Sequence, residues 1–132
     1  MLSQISVYLP DRPGVLASFI EILMKNKIFI TAMTVAQAQN YGLILLLVDK
    51  PMKCVELLEE ENYIFSTTDV IAVKLEESEL YDVPKTLGDN GINIEYLYSS
   101  FLHEIPAIVM KVDDNQAARE ILQENGFTLL QG

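Results

Sequence analysis

The chain repeats one pattern of elements twice, and that repeat limits its fold more than any other feature. Residues 28–63 align onto residues 92–127 without a gap, at a constant offset of 64. Eight positions in the stretch are identical: Ile28/Ile92, Ile30/Ile94, Ile44/Ile108, Val48/Val112, Asp49/Asp113, Glu56/Glu120, Leu58/Leu122 and Glu60/Glu124. The identities are sparse, and the order of elements, β-α-β-β-α-β in each half, carries the case for duplication. In the first half, residues 5–9 read as a short apolar strand, followed by the turn-forming run Pro10-Asp11-Arg12-Pro13-Gly14. Val15, Leu16, Phe19, Ile20, Leu23 and Met24 recur at helical spacing and predict a core-facing stripe. Lys25, Asn26 and Lys27 close that helix with positive charge where its dipole favours it. Residues 28–37 and 43–48 read as strands around a Gln39-Asn40-Tyr41-Gly42 turn. Asp49 and Pro51 open a second helix with Met52, Val55 and Leu58 on its buried side, and residues 63–67 return as a strand.

The second half repeats this plan with a strand at 71–75, a helix at 80–90, strands at 92–101 and 107–112, a helix at 114–125 and a strand at 127–130. Pro84 falls inside the first of these helices and is expected to shorten or kink it. The 132 residues therefore divide into two domains, 1–69 and 70–132. Each is near the lower size limit for a self-supporting core, and no Gly/Ser linker separates them. Side-by-side docking on a shared sheet is the expectation. The run Leu43-Ile44-Leu45-Leu46-Leu47-Val48 is apolar at both parities, so both faces of that strand need cover. Helices can cover one face. A second chain is expected on the other, which predicts a homodimer.

Composition removes several function classes. Half the residues are hydrophobic, enough for a real core, and the formal charge is −10. So acidic a chain repels phosphate backbones and anionic headgroups, which argues against nucleic-acid and membrane partners. A ferredoxin-like sheet that reads RNA would also need an aromatic-basic strand motif, and none is present. The first seven residues show no basic segment leading into an apolar stretch, and the longest apolar run falls far short of the ~20 residues of a membrane span. The expected location is the cytoplasm. One cysteine, Cys54, rules out an internal disulfide and a CxxC metal carrier, and one histidine, His103, argues against His-rich metal sites and a Ser-His-Asp arrangement. No cofactor or metal is implied.

The strongest local signal is Asp11-Arg12-Pro13-Gly14-Val15-Leu16, between the first strand and first helix. Pro13 suits a helix's first turn and pushes Arg12 out of the helical region. Gly14 leaves room for a ligand to approach the helix N–H groups, whose positive dipole end suits a carboxylate, while Asp11 could receive an ammonium group. On residue chemistry alone, a plain helix start explains the same residues and is the favoured reading.

The doubled β-α-β-β-α-β order, this loop and Gly91-Ile92-Asn93-Ile94 together resemble a tandem ACT-domain protein, over nearly the whole chain and with no catalytic domain attached. The resemblance implies an α+β fold: two ferredoxin-like βαββαβ ACT domains in tandem, sheets paired side by side and helices on one face. It further implies a non-catalytic regulatory or sensor protein whose effector, most often a free amino acid, lies between two ACT domains. Carried over residue by residue, the ligand-binding set is Asp11, Arg12, Pro13, Gly14, Val15 and Leu16, facing Ile92, Asn93 and Ile94 of a neighbouring domain. A metabolic enzyme is a further partner of the kind the resemblance suggests.

The second half departs from the pattern. Its loop is Glu76-Glu77-Ser78-Glu79-Leu80, shorter and without Pro or Gly, and its carboxylates would repel a ligand carboxylate. Phe29 stands where the other half has Asn93. One effector site per chain is therefore expected. Tyr96 and Tyr98 share parity with Ile92 and Ile94 and read as packing on the same sheet face, and Asn93 could equally finish the turn after Gly91. Glu59-Glu60-Glu61 reads as a solvated helix end, His103 as part of an exposed hairpin and Cys54 as structural. Two other functions stay open. One is a regulatory subunit that docks on an enzyme without a ligand of its own. The other is a small acylphosphatase-like hydrolase with Arg12 in its phosphate cradle, weakened by the presence of only two arginines.

Overall fold

A computed structural model describes residues 2–131, apart from the side chain of Ala38. The chain forms β1 (Leu2–Pro10), α1 (Val15–Lys25), β2 (Ile30–Ala38), β3 (Tyr41–Val48), α2 (Pro51–Glu60) and β4 (Ile64–Lys74). It continues with α3 (Glu79–Asp89), β5 (Ile94–Leu102), β6 (Ile105–Val112), α4 (Asn115–Glu124) and β7 (Leu129–Leu130). These make two compact units: residues Ser3–Thr68, and residues 69–131 with Leu2. The sequence predicts separate strands at 63–67 and 71–75. The structure instead has one strand, β4, because Thr68, Asp69 and Val70 stay extended between them. Its first half completes the N-terminal unit and its second half opens the C-terminal unit.

The identical residues mark where each unit is tied. In the N-terminal unit Asp49 Oδ1 accepts from the Phe29 amide at 2.8 Å, and the Asp49 amide donates to the Phe29 carbonyl at 3.0 Å. In the C-terminal unit Asp113 and Asn93 make the same pair of bonds, at 3.1 and 3.2 Å. Each first helix also ends alike. The Asn26 and Asn90 side chains donate to the Ile22 and Thr86 carbonyls, and the Ile28 and Ile92 amides return to Leu23 and Leu87. Such a reversal needs a left-handed residue, supplied by Lys27 at φ 58° and Gly91 at φ 76°. Asn93 lies beyond that turn, with its backbone tied to Asp113.

Strand order in the N-terminal unit is β2-β3-β1-β4, and in the C-terminal unit β5-β6-β4-β7. The strand pairs for which registers are resolved are antiparallel. Each unit carries its two helices on one sheet face. Phe19, Leu23, Cys54, Leu57 and Leu58 pack over Ile5, Val7, Leu9, Ile44, Leu46 and Val48 in the first. Val83, Leu87, Ala118 and Leu122 pack over Ile71, Val73, Ile108, Met110 and Val112 in the second. The ferredoxin-like α+β architecture follows. Among the described residues no helix is long and apolar enough to cross a membrane.

The predicted stripes need correction. Leu16, Met24 and Met52 are exposed, because the two helices meet the sheet along Phe19–Leu23 and along Cys54–Leu57–Leu58. The hairpin turn is Gln39-Asn40, with Asn40 at φ 66°, and Tyr41 and Gly42 already belong to β3. His103 and Glu104, at φ 51° and 68°, form the tight turn between β5 and β6. Pro84 does not shorten its helix, since α3 runs on to Asp89. Tyr96 and Tyr98 do not share a face with Ile94. A bulge at Glu95 inserts one extra residue, so Ile94 pairs with Val112 but Tyr96 with Lys111, and parity flips. The same irregularity lies between Ile30 and Ala32.

On the helix-free face of the N-terminal unit, the register aligns Ser6 and Tyr8 with Leu45 and Leu43, and these with Thr34 and Ala36. Leu43 and Leu45 are only half-buried there.

Candidate functional site

The loop before α1 is built around one turn. Pro13 and Gly14 are its central residues, with the Val15 amide returning to the Arg12 carbonyl at 3.3 Å. Gly14 has φ 85° and ψ −14°, the values that a type II turn requires at its third position. Pro13 therefore serves at the second position of a turn and not, as the sequence suggests, in the first turn of the helix. Nothing lies within 4 Å of a Cβ built on Gly14, so the glycine is needed for its backbone conformation and not for space.

This turn leaves the start of α1 open. Gly14 occupies the N-cap position without a side-chain cap, and the first turn contains no acidic residue. The Ser18 amide donates to the Gly14 carbonyl at 3.0 Å, while the Leu16 and Ala17 amides have no backbone acceptor among the described residues. Arg12, Pro13, Gly14, Val15, Ser18 and Tyr63 line an open hollow of about 520 Å³ at this helix end. Of the six residues predicted from the loop, Asp11 and Leu16 do not line the hollow; it lies at the positive end of the helix dipole beside Arg12, which is an environment for an anion such as a carboxylate.

Two lining residues escape the sequence motif. Ser18 lies one helical turn beyond Gly14, so its position is legible once the helix start is known. Tyr63 arrives from the α2–β4 connection and is fixed by edge-on packing against Phe19, with ring centroids 5.3 Å apart. No local signal announces it. Burial and the Glu61 carboxylate raise its pKa above the ordinary tyrosine value. Asp11 is exposed and accepts from the Gln37 side-chain amide at 2.5 Å, a bond that ties the loop to the far end of β2. Its carboxylate keeps lone pairs able to receive an ammonium group.

The partner-strand residues lie in the C-terminal unit. Ile92 is 7% exposed and Ile94 packs against that unit's core, so both side chains are committed to packing. Asn93 is exposed, with its backbone held by Asp113. They lead into β5, which among the described residues is an edge strand paired only with β6, and what this segment can offer a ligand is backbone and the Asn93 side chain.

The corresponding helix start in the C-terminal unit also lacks a side-chain cap, but its first turn carries two carboxylates, Glu79 and Asp82. Glu79 Oε2 accepts from the Glu76 amide at 2.8 Å, and Asp82 accepts from the Ser78 hydroxyl at 2.5 Å. Ser78, the N-cap, has φ −109°, so the left-handed turn is absent. Among the described residues no group of His, Cys, Asp and Glu is arranged to hold a metal ion. Cys54 is fully buried, and burial pushes its thiol up to about 11, which makes it a packing residue.

The sequence matches the family described as ACT domain pair over residues 1–131. The chain belongs to the ACT domain pair family. Solved structures agree with the fold of this ACT domain pair. A protein from Bacteroides thetaiotaomicron superposes with a TM-score of 0.88 at 26% identity, covering 98% of this chain and 91% of the other. The regulatory subunit of aspartate kinase from Thermus thermophilus, in its ligand-free form, gives 0.63 at 19% identity, covering 93% and 91%. The regulatory subunit of aspartate kinase from Thermus flavus gives 0.66 at 17%, covering 93% and 90%. At those identities the two regulatory subunits speak for the fold alone. No match was found among curated proteins.

Proposed function

We propose that this ACT domain pair is a non-catalytic regulatory or sensor protein that binds a free amino acid. The observation that carries the reading is the difference between the two equivalent helix starts. The Pro13-Gly14 turn and an acid-free first turn of α1 border a hollow beside Arg12, whereas Glu79 and Asp82 put two carboxylates in the first turn of α3. The effector's carboxylate sits at the α1 amides and its ammonium group turns toward Asp11. The site-forming set is Asp11, Arg12, Pro13, Gly14, Val15 and Leu16, with Ser18 and Tyr63 added. Ile92, Asn93 and Ile94 of a neighbouring ACT domain complete it. The regulatory role is supported by membership of the ACT domain pair family, and a metabolic enzyme is the target in this reading.

The protein acts as a cytoplasmic homodimer, with the helix-free apolar face around Leu43 and Leu45 covered by the second chain. A thermal-shift screen of the amino acids tests the effector reading. One or a few chemically related amino acids should stabilise the fold, and a flat response across the set would refute it. Light scattering should return twice the chain mass at micromolar concentration, and a single-chain mass would refute the dimer.

A further inference from the structure

The opposite end of α1 carries a surface that the effector reading leaves unused. Lys25 and Lys27 stand at the close of that helix, and α2 begins beside them. Lys50 Nζ donates to the Lys27 carbonyl and Lys53 Nζ to the Asn26 carbonyl, each at 2.7 Å. Four of the chain's nine cationic residues thus gather at one place, in a protein of formal charge −10; Lys25 pairs there with Glu21 at 3.4 Å and Lys50 with Asp49 at 3.9 Å, which leaves two positive charges in excess. Among them Met24, Phe29 and Met52 are 69%, 68% and 80% exposed. Large apolar side chains ringed by charge are the composition of a docking surface and not of a solvated helix end.

The duplication supplies an internal control. The same backbone ties hold the same end of the C-terminal unit, so the fold does not dictate what the surface positions carry. At the offset of 64, Met24, Lys25, Lys27, Phe29, Lys50, Met52 and Lys53 correspond to Gly88, Asp89, Gly91, Asn93, Asp114, Gln116 and Ala117. Each of those cations and large apolar groups is absent there, and the unit folds. The basic-apolar surface is an addition to the fold.

We propose that this surface binds segment 76–81 of a second copy of the chain. That segment is the divergent loop of the C-terminal unit, and it is complementary in both respects. Glu76 and Glu77 are exposed, and Leu80 and Tyr81 beside them are 58% and 68% exposed. Carboxylates meet the lysines, and Leu80 and Tyr81 meet Met24, Phe29 and Met52. Every copy offers one surface of each kind. A phosphate polymer or an anionic membrane is disfavoured, because the net charge repels both at long range and neither accounts for the apolar groups. The loop that lost its ligand chemistry becomes a ligand for another copy. The surface is separated from the α1 start by eleven residues of helix, about 16 Å, so it acts apart from the effector site.

Sedimentation velocity on the purified chain, at about 0.05 M and about 0.5 M sodium chloride, tests this by screening charge while leaving apolar sheet contacts intact. Self-association should weaken about tenfold or more across that range. Lys25→Glu with Lys27→Glu should abolish the salt-sensitive component, and so should Glu76→Lys with Glu77→Lys on the other surface. Neither lysine caps a carbonyl by its side chain, and a thermal melt verifies each fold. A chain carrying all four changes regains complementarity at unchanged net charge and should associate again. Salt-independent association, reversals without effect or failure of the fourfold swap to restore association would each overturn the proposal. So would capture of a DNA duplex or phosphatidylglycerol vesicles through Lys25 and Lys27 without self-association. Amino-acid thermal shifts read on the same variants should stay intact, which separates failure of this surface from failure of the effector site.

Discussion

Ser18→Glu places a carboxylate in the hollow where the ligand's own carboxylate is proposed to sit, and it should act in opposite directions on the free and the bound protein. Ser18 is the fourth residue of α1, close enough to the uncapped start to feel the dipole. Glutamate is a better helix former than serine, and a negative charge there contributes about 0.3–1 kcal/mol. For 132 residues each kcal/mol moves the melting midpoint by roughly 3–5 °C, so the free protein should gain about 1–5 °C. An effector at a hundredfold excess over Kd stabilises the parent chain by about 2.7 kcal/mol, on the order of 10 °C. Two carboxylates ~4 Å apart repel by about 1 kcal/mol in water and about 4 kcal/mol nearer the protein interior. An intermediate cost of about 2 kcal/mol weakens binding ~30-fold, and at the same effector concentration the shift falls to about 3 °C. Differential scanning fluorimetry with and without effector reads both quantities. General damage lowers the free midpoint, so a rise there with a loss of ligand response cannot be mimicked by misfolding. A raised free midpoint with the full ~10 °C response would refute the site, because the effector would then bind away from the α1 start. Gly14→Val is a poorer probe, since φ 85° strains any branched side chain before a ligand is considered.

Calorimetric titration should give one effector per chain, because Glu79 and Asp82 in the first turn of α3 repel a ligand carboxylate, and two equivalent sites would contradict that. Pro84→Ala restores an N–H in the interior of α3 and should raise unfolding stability by about 1–3 kcal/mol in a denaturant melt. An unchanged midpoint would show that the missing N–H costs this helix nothing. Cys54, fully buried with its thiol raised to about 11, stays protonated at neutral pH and should resist iodoacetamide until denaturant exposes it. Rapid alkylation of the folded chain would contradict that burial.

The amino-acid sequence by itself determined the duplication, the order of elements and the place of the loop. These rest on interactions that span a few residues. Pro13 and Gly14 select a turn, Lys27 and Gly91 stand where the chain leaves a helix, and apolar spacing separates helix from strand. Even the identity of Asp49 and Asp113 was visible, although its reason, two bonds across twenty residues of chain, was not. Tertiary structure decided everything that depends on which face a residue takes. The bulge at Glu95 sends Tyr96 and Tyr98 to the face opposite Ile94, and a one-residue insertion leaves no mark in an apolar pattern. Met24 and Met52 continue helical stripes but overshoot the sheet, because a helix meets a sheet along a narrow line of contact. Tyr63 and Gln37 reach the loop from positions 49 and 26 residues distant from Gly14 and Asp11, through packing and a side-chain bond that only the folded chain creates. Local chemistry fixes where a turn or helix begins, whereas the surroundings of that point are set by segments that meet only after folding.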